Sequence, residues 1–165
     1  MRIVVLGGFG NFGARICRSL AQDPALTVIA TGRNPAAAPA DFAQRQIHTA
    51  ALHINGADWR SALSALAPAI VIHCVGPFQS QSYEVARAVL ACNAHYIDLA
   101  DGRGFVAGFG AALNEEAVRA NRIAVTGAST LPALSSAVVD AFNGGFSSLD
   151  GIDSVIAPGQ HAPRG

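Results

Sequence analysis

The sequence predicts an α/β fold: a doubly wound, six-stranded parallel sheet in the order 3-2-1-4-5-6, followed by the start of a second domain. Three observations lead there. Short apolar runs rich in β-branched residues alternate with segments of helical period. A glycine-rich turn follows the first run directly. The 165 residues are 51% hydrophobic and only 13% charged, which is enough apolar surface for one sizeable core and too much for a disordered chain.

The elements follow in order. Ile3–Leu6 is the first strand candidate, a continuous apolar run ended by Gly7-Gly8, as expected of a strand buried on both faces. Gly13, Ile16, Cys17 and Leu20 then keep the i, i+3, i+4, i+7 stripe of a helix. Leu26–Thr31 is the second strand. Arg45–Ile54 is a third and more polar candidate, suited to a sheet edge. Trp59, Ala62, Leu63 and Leu66 repeat the stripe, with Asp58 placed to cap that helix and Pro68 just past its end. Ile70–Val75 is the fourth strand, and the helix from Ser82 to Asn93 carries Val85, Ala86, Val89 and Leu90. Tyr96–Leu99 is the fifth strand, followed by a stripe of Val106, Phe109, Gly110, Leu113 and Ala117. Ile123–Thr126 is the sixth, and a last helix, Ala133–Phe142, would close the sheet. Two mononucleotide-binding halves of this kind make a complete Rossmann domain over residues 1–143. Gly144-Gly145 breaks the pattern, and residues 144–165, with a strand candidate at Ile152–Ile156, read as the beginning of the second domain.

Composition removes several functions. Net charge is zero, so no basic field exists to hold a nucleic-acid backbone. All eleven basic residues are Arg, and the chain has no Lys. That excludes the Walker phosphate loop and Schiff-base chemistry, which both need one. It also excludes a Tyr-x-x-x-Lys catalytic pair: Arg87 and Ala100 stand at that spacing from Tyr83 and Tyr96. Cys17, Cys74 and Cys92 are widely spaced and read as unpaired thiols of a reducing compartment. No cysteine–histidine spacing suggests a metal site. No run approaches the ~20 apolar residues of a membrane span, and the expected location is the cytoplasm.

The chemistry concentrates in Gly7-Gly8-Phe9-Gly10-Asn11-Phe12-Gly13, where Gly8, Gly10 and Gly13 satisfy Gly-x-Gly-x-x-Gly between a strand and a helix. Glycines there allow the tight turn, the approach of backbone to a pyrophosphate, and close strand–helix packing, while the helix N-terminus faces the phosphates. An NAD site places an acid at the end of the second strand. Here Thr31-Gly32-Arg33-Asn34 has none, and Arg33 can pair with a 2′-phosphate, so NADP is favoured over NAD. Ligands in open α/β sheets sit at the carboxyl ends of strands. Val75-Gly76-Pro77 leaves room there for a ribose or nicotinamide, and Asp98 and Asp101 either bind substrate or hold a loop. His73, inside an apolar strand, reads as a core histidine, and no residue stands out as catalytic.

These residues together resemble the saccharopine dehydrogenase-like family: the glycine loop, Val75-Gly76-Pro77-Phe78, Tyr96-Ile97-Asp98, and Thr126-Gly127-Ala128-Ser129 followed by Leu131-Pro132-Ala133, where a Gly is usual at position 133. The resemblance implies an NAD(P)-dependent oxidoreductase acting on a small-molecule substrate. It also implies a second domain that supplies much of the substrate pocket and a homodimer interface. A non-catalytic NADP-sensing or interaction module would use the same loop without hydride transfer.

Overall fold

In a computed structural model of the chain, the described residues are 1–155 and 157. Six parallel strands form one sheet in the order β3-β2-β1-β4-β5-β6. They are β1 (Arg2–Leu6), β2 (Thr27–Gly32), β3 (His48–Ala51), β4 (Ile70–His73), β5 (His95–Asp98) and β6 (Ala124–Val125). The helices are α1 (Asn11–Leu20), α2 (Trp59–Ala65), α3 (Glu84–Ala91), α4 (Arg103–Ala120) and α5 (Ser135–Phe142).

The sheet separates two cores. Val4, Leu6, Val71 and Tyr96 point to one face, where Trp59 and Leu63 of α2, Val85 and Val89 of α3, and Phe105, Phe109 and Leu113 of α4 cover them. Tyr96 stacks on Phe109 at 5.8 Å, and Tyr83 meets the same ring edge-on. On the other face Ile3, Val5, Val28 and Ala30 lie beneath Ala14 and Cys17 of α1 and beneath Phe42 and Ile47. Arg18 fastens that cover: it pairs with Asp41, which also takes Arg45 at 2.8 Å. Each fully buried aliphatic side chain of these cores is worth roughly 1.5–3 kcal/mol.

The second face is covered on one side only. Val5, Ile72, Ile97 and Val125 lie in register across β1, β4, β5 and β6. Val5 is sealed under α1, Ile72 and Ile97 are half-buried, and Val125 is exposed. Strands of a parallel sheet are normally covered on both faces. Helix α5 does not supply the cover: none of its residues is buried, and Leu134, Val138 and Phe142 stand 49–69% exposed.

Several sequence expectations need correction. The third strand is only His48–Ala51, a mostly exposed edge, and a turn through residues 40–46 precedes it. Asp58 occupies the position before α2, but its side chain makes no capping bond; its carbonyl accepts the Ser61 hydroxyl at 2.8 Å. The last helix starts as a wide π turn over Thr130–Leu134 and stands off the sheet instead of closing it. Residues 152–155 form no strand, and Ile156 lies outside the described residues.

Candidate dinucleotide-binding site

The carboxyl ends of β1, β2, β3 and β4 open into a cleft of about 750 Å³. The glycine loop forms its floor. Gly7 has φ +74°, a conformation that side chains with a Cβ rarely adopt. At Gly8 a Cβ would lie 2.7 Å from that of Ala30, and at Gly13 it would overlap the Gly7 carbonyl oxygen. These three glycines therefore let strand, turn and helix pack together. Gly10 differs, since its Cβ would meet only Gly7 O, at 3.2 Å. Its open side belongs to the cleft.

Helix α1 begins here without a side-chain cap and without an acid in its first turn. The N–H groups of Asn11, Phe12 and Gly13 take no partner among the described residues. Three free donors and the positive end of a helix dipole at the floor of a cleft are what a phosphate requires. Phe9 serves another purpose: its ring covers Gly32 and lies 6.5 Å from Phe42, anchoring the loop to the α1-side core. Phe12 is exposed.

The β2 side adds the charge. Arg33 is exposed, lines the cleft, and has no ion pair or hydrogen bond to any described residue. Its loop is shaped by Asn34, whose Oδ1 accepts the Ala36 N–H at 3.0 Å and starts a short 3₁₀ turn at Pro35–Ala37. The Thr31 hydroxyl is spent on Val5 O at 3.2 Å and is wholly buried, so its contribution to the cleft is shape. Sequence reasoning missed Leu52, His53, Ile54 and Asn55, which follow β3 and form the opposite wall. The signal was only their place at a strand's carboxyl end.

Cys74, Val75 and Gly76 close the cleft on the β4 side, and Pro77 follows in a cis peptide. Burial pushes the thiols of Cys17 and Cys74 up to about 12, so neither is a thiolate at neutral pH. Asp98 and Asp101 do not reach the cleft. Asp98 is fully buried, and its Oδ1 accepts from the Ala100 and Gly127 amides and the Thr126 hydroxyl, each at 2.9 Å. These bonds tie the end of β5 to the turn that follows β6. Asp101 is exposed and accepts from Gln79 Nε2 at 3.2 Å. His73 is buried, and desolvation lowers its pKa, as a core histidine requires. Among the described residues no group of three potential metal ligands exists, and no helix is long and apolar enough to cross a membrane.

Comparison with solved structures finds this fold among dehydrogenases. Saccharopine dehydrogenase (L-Glu forming) of Saccharomyces cerevisiae superposes with a TM-score of 0.66 at 16% identity, over 87% of this chain and 31% of that one. A myo-inositol 2-dehydrogenase of Lactobacillus plantarum gives 0.56 at 14% identity, over 87% and 42%. Biliverdin reductase of Synechocystis sp. PCC 6803, solved with biliverdin and NADP+, gives 0.53 at 15%, over 76% and 37%. The chain thus spans less than half of each of these proteins. No curated protein matches it in sequence. The family profile described as the saccharopine dehydrogenase NADP binding domain matches residues 3–135, from β1 through the sixth strand and the turn leading into α5, and the chain belongs to that NADP-binding family.

Proposed function

We propose that this chain is the cofactor-binding domain of an NADP-dependent oxidoreductase, with residues 144–165 beginning a second domain that completes the substrate pocket. The observation that carries the reading is the pairing of an uncapped α1 N-terminus with a partner-free Arg33 across one cleft. Asn11, Phe12 and Gly13 would hold the pyrophosphate through backbone N–H groups. Arg33 would hold the 2′-phosphate, and Val75 and Gly76 would line the nicotinamide side. When bound, NADPH supplies a hydride to an acceptor carbon. The described cleft wall presents no carboxylate, so the groups that orient and protonate a substrate are expected on the second domain. The one-sided cover of β4–β6 and the exposed α5 support that division, because both present apolar surface for a further layer.

Calorimetric titration with NADPH and NADH tests the cofactor assignment. NADPH binds more tightly, and Arg33→Ala costs it about 1.5–3 kcal/mol while leaving NADH nearly unchanged. Equal affinities in the parent chain would remove Arg33 from this role. In the same titration Gly10→Ala weakens both cofactors alike, because its methyl group enters the cleft.

A further inference from the structure

The segment that closes the cleft on the β4 side is held in an unusual way. Val75 and Gly76 line the cleft and also an adjoining cavity of about 430 Å³ lined by Trp59, Pro77 and Gln81, so that, with Ile54 and Asn55, the segment forms the partition between the two. Side-chain packing does not hold it at its middle: a Cβ on Gly76 would meet nothing within 4 Å. Two carbonyls do. Gln81 Nε2 donates to Val75 O at 2.7 Å and to Pro77 O at 2.9 Å, which spends both of its hydrogens. Its Oε1 therefore faces His73 Nε2 at 3.1 Å, and His73 must donate there. His73 is itself fixed, buried in β4 with Phe78 edge-on at 5.1 Å and Tyr96 at 6.2 Å.

We propose that Gln81, backed by His73, is a positioning residue that sets the partition at Val75–Pro77 and with it the nicotinamide side of the cofactor cleft. The proposal rests on the dinucleotide reading of the cleft, and its predicted effect is confined to half of the ligand. On that reading the ADP portion would lie against the glycine loop and Arg33, and the other half would meet the partition.

The test begins with the parent chain. By NMR, the two side-chain amide protons of Gln81 should be separately shifted and slow to exchange, and a pair like those of a solvent-exposed glutamine would overturn the clamp. Gln81→Leu removes all three side-chain bonds. Gln81→Glu keeps an acceptor for His73 and loses both donors, so it serves where the leucine variant does not fold. Each should lower the backbone order of Val75 and Gly76 and weaken NADPH by about tenfold, leaving 2′-phospho-ADP-ribose unchanged. Unchanged NADPH affinity in a folded variant, or an equal loss for both ligands, overturns the proposal. A protected Gln81 amide in a parent chain that binds no NADPH would instead overturn the cofactor reading and leave the clamp standing.

Discussion

His73 shows how a single buried base ties stability to pH. Its ring is 1% exposed, and burial holds its pKa below the ordinary value of 6.5. The unfolded chain therefore binds a proton that the folded chain refuses, and the difference grows as pH falls. Stability from the neutral ring is complete above pH 6.5 and is lost progressively below it, toward the depressed folded value. The midpoint of thermal unfolding should drop as pH falls below 6.5, and His73→Gln should flatten that slope. An equally steep slope in the variant would assign the loss to another group. Asp41 acts later in the same direction, since its bonds to Arg18 and Arg45 hold its carboxyl below the usual carboxylate range.

Among the elements, α4 and α5 make opposite cases. Helix α4 drives Phe105, Phe109 and Leu113 into the core and ends with Asn121 in the left-handed region at φ 52°. Leu113→Ala should cost about 2–5 kcal/mol in urea denaturation, the range for a large-to-small change at a sealed site. Helix α5 has comparable apolar residues and buries none, so Val138→Asp should shift the same measurement by no more than about 0.5 kcal/mol. A large loss in Val138→Asp would show that α5 docks in solution. Five of the six strands were legible because short apolar runs between glycines and polar turns have few other readings, whereas the polar edge strand β3 was placed but its bounds were not; the glycine loop was legible because it stands between a strand and a helix. Other features were hidden for physical reasons. Nothing local distinguishes Gln81 in Ser80-Gln81-Ser82, since its partners lie on a loop four to six residues away and on β4. The apolar stripe of α5 predicts a buried face without saying what buries it.

At the scale of the whole molecule, the oxidoreductase reading proposed above makes the cofactor cradle and the reaction separable. Every residue of the cleft lies between Leu6 and Gly76, and the sheet that carries it is complete at Val125. Hydride transfer further requires a substrate held against the nicotinamide in attack geometry, and a wall on one side cannot hold it. The 165-residue chain should bind NADPH without turning over amino-acid, polyamine or lipid carbonyl substrates, while any longer form that carries a second domain should be active. Robust turnover by the shorter chain would refute the division of labour, and inactivity of both would favour a sensing role.

The one-sided cover of the sheet also orders how the native state comes apart. Opening free energy follows local burial, so β1 and β2, sealed on the α1 face and joined to β4 through the centre of the sheet, define the slowest-opening unit. The two-residue β6 and everything described after it sit at the fast end of that gradient. A protease acting on the folded protein would thus trim inward from α5 and stall near the sixth strand. The surviving fragment would keep the whole phosphate floor, and with it the means to sequester the cofactor after the C-terminal side is lost.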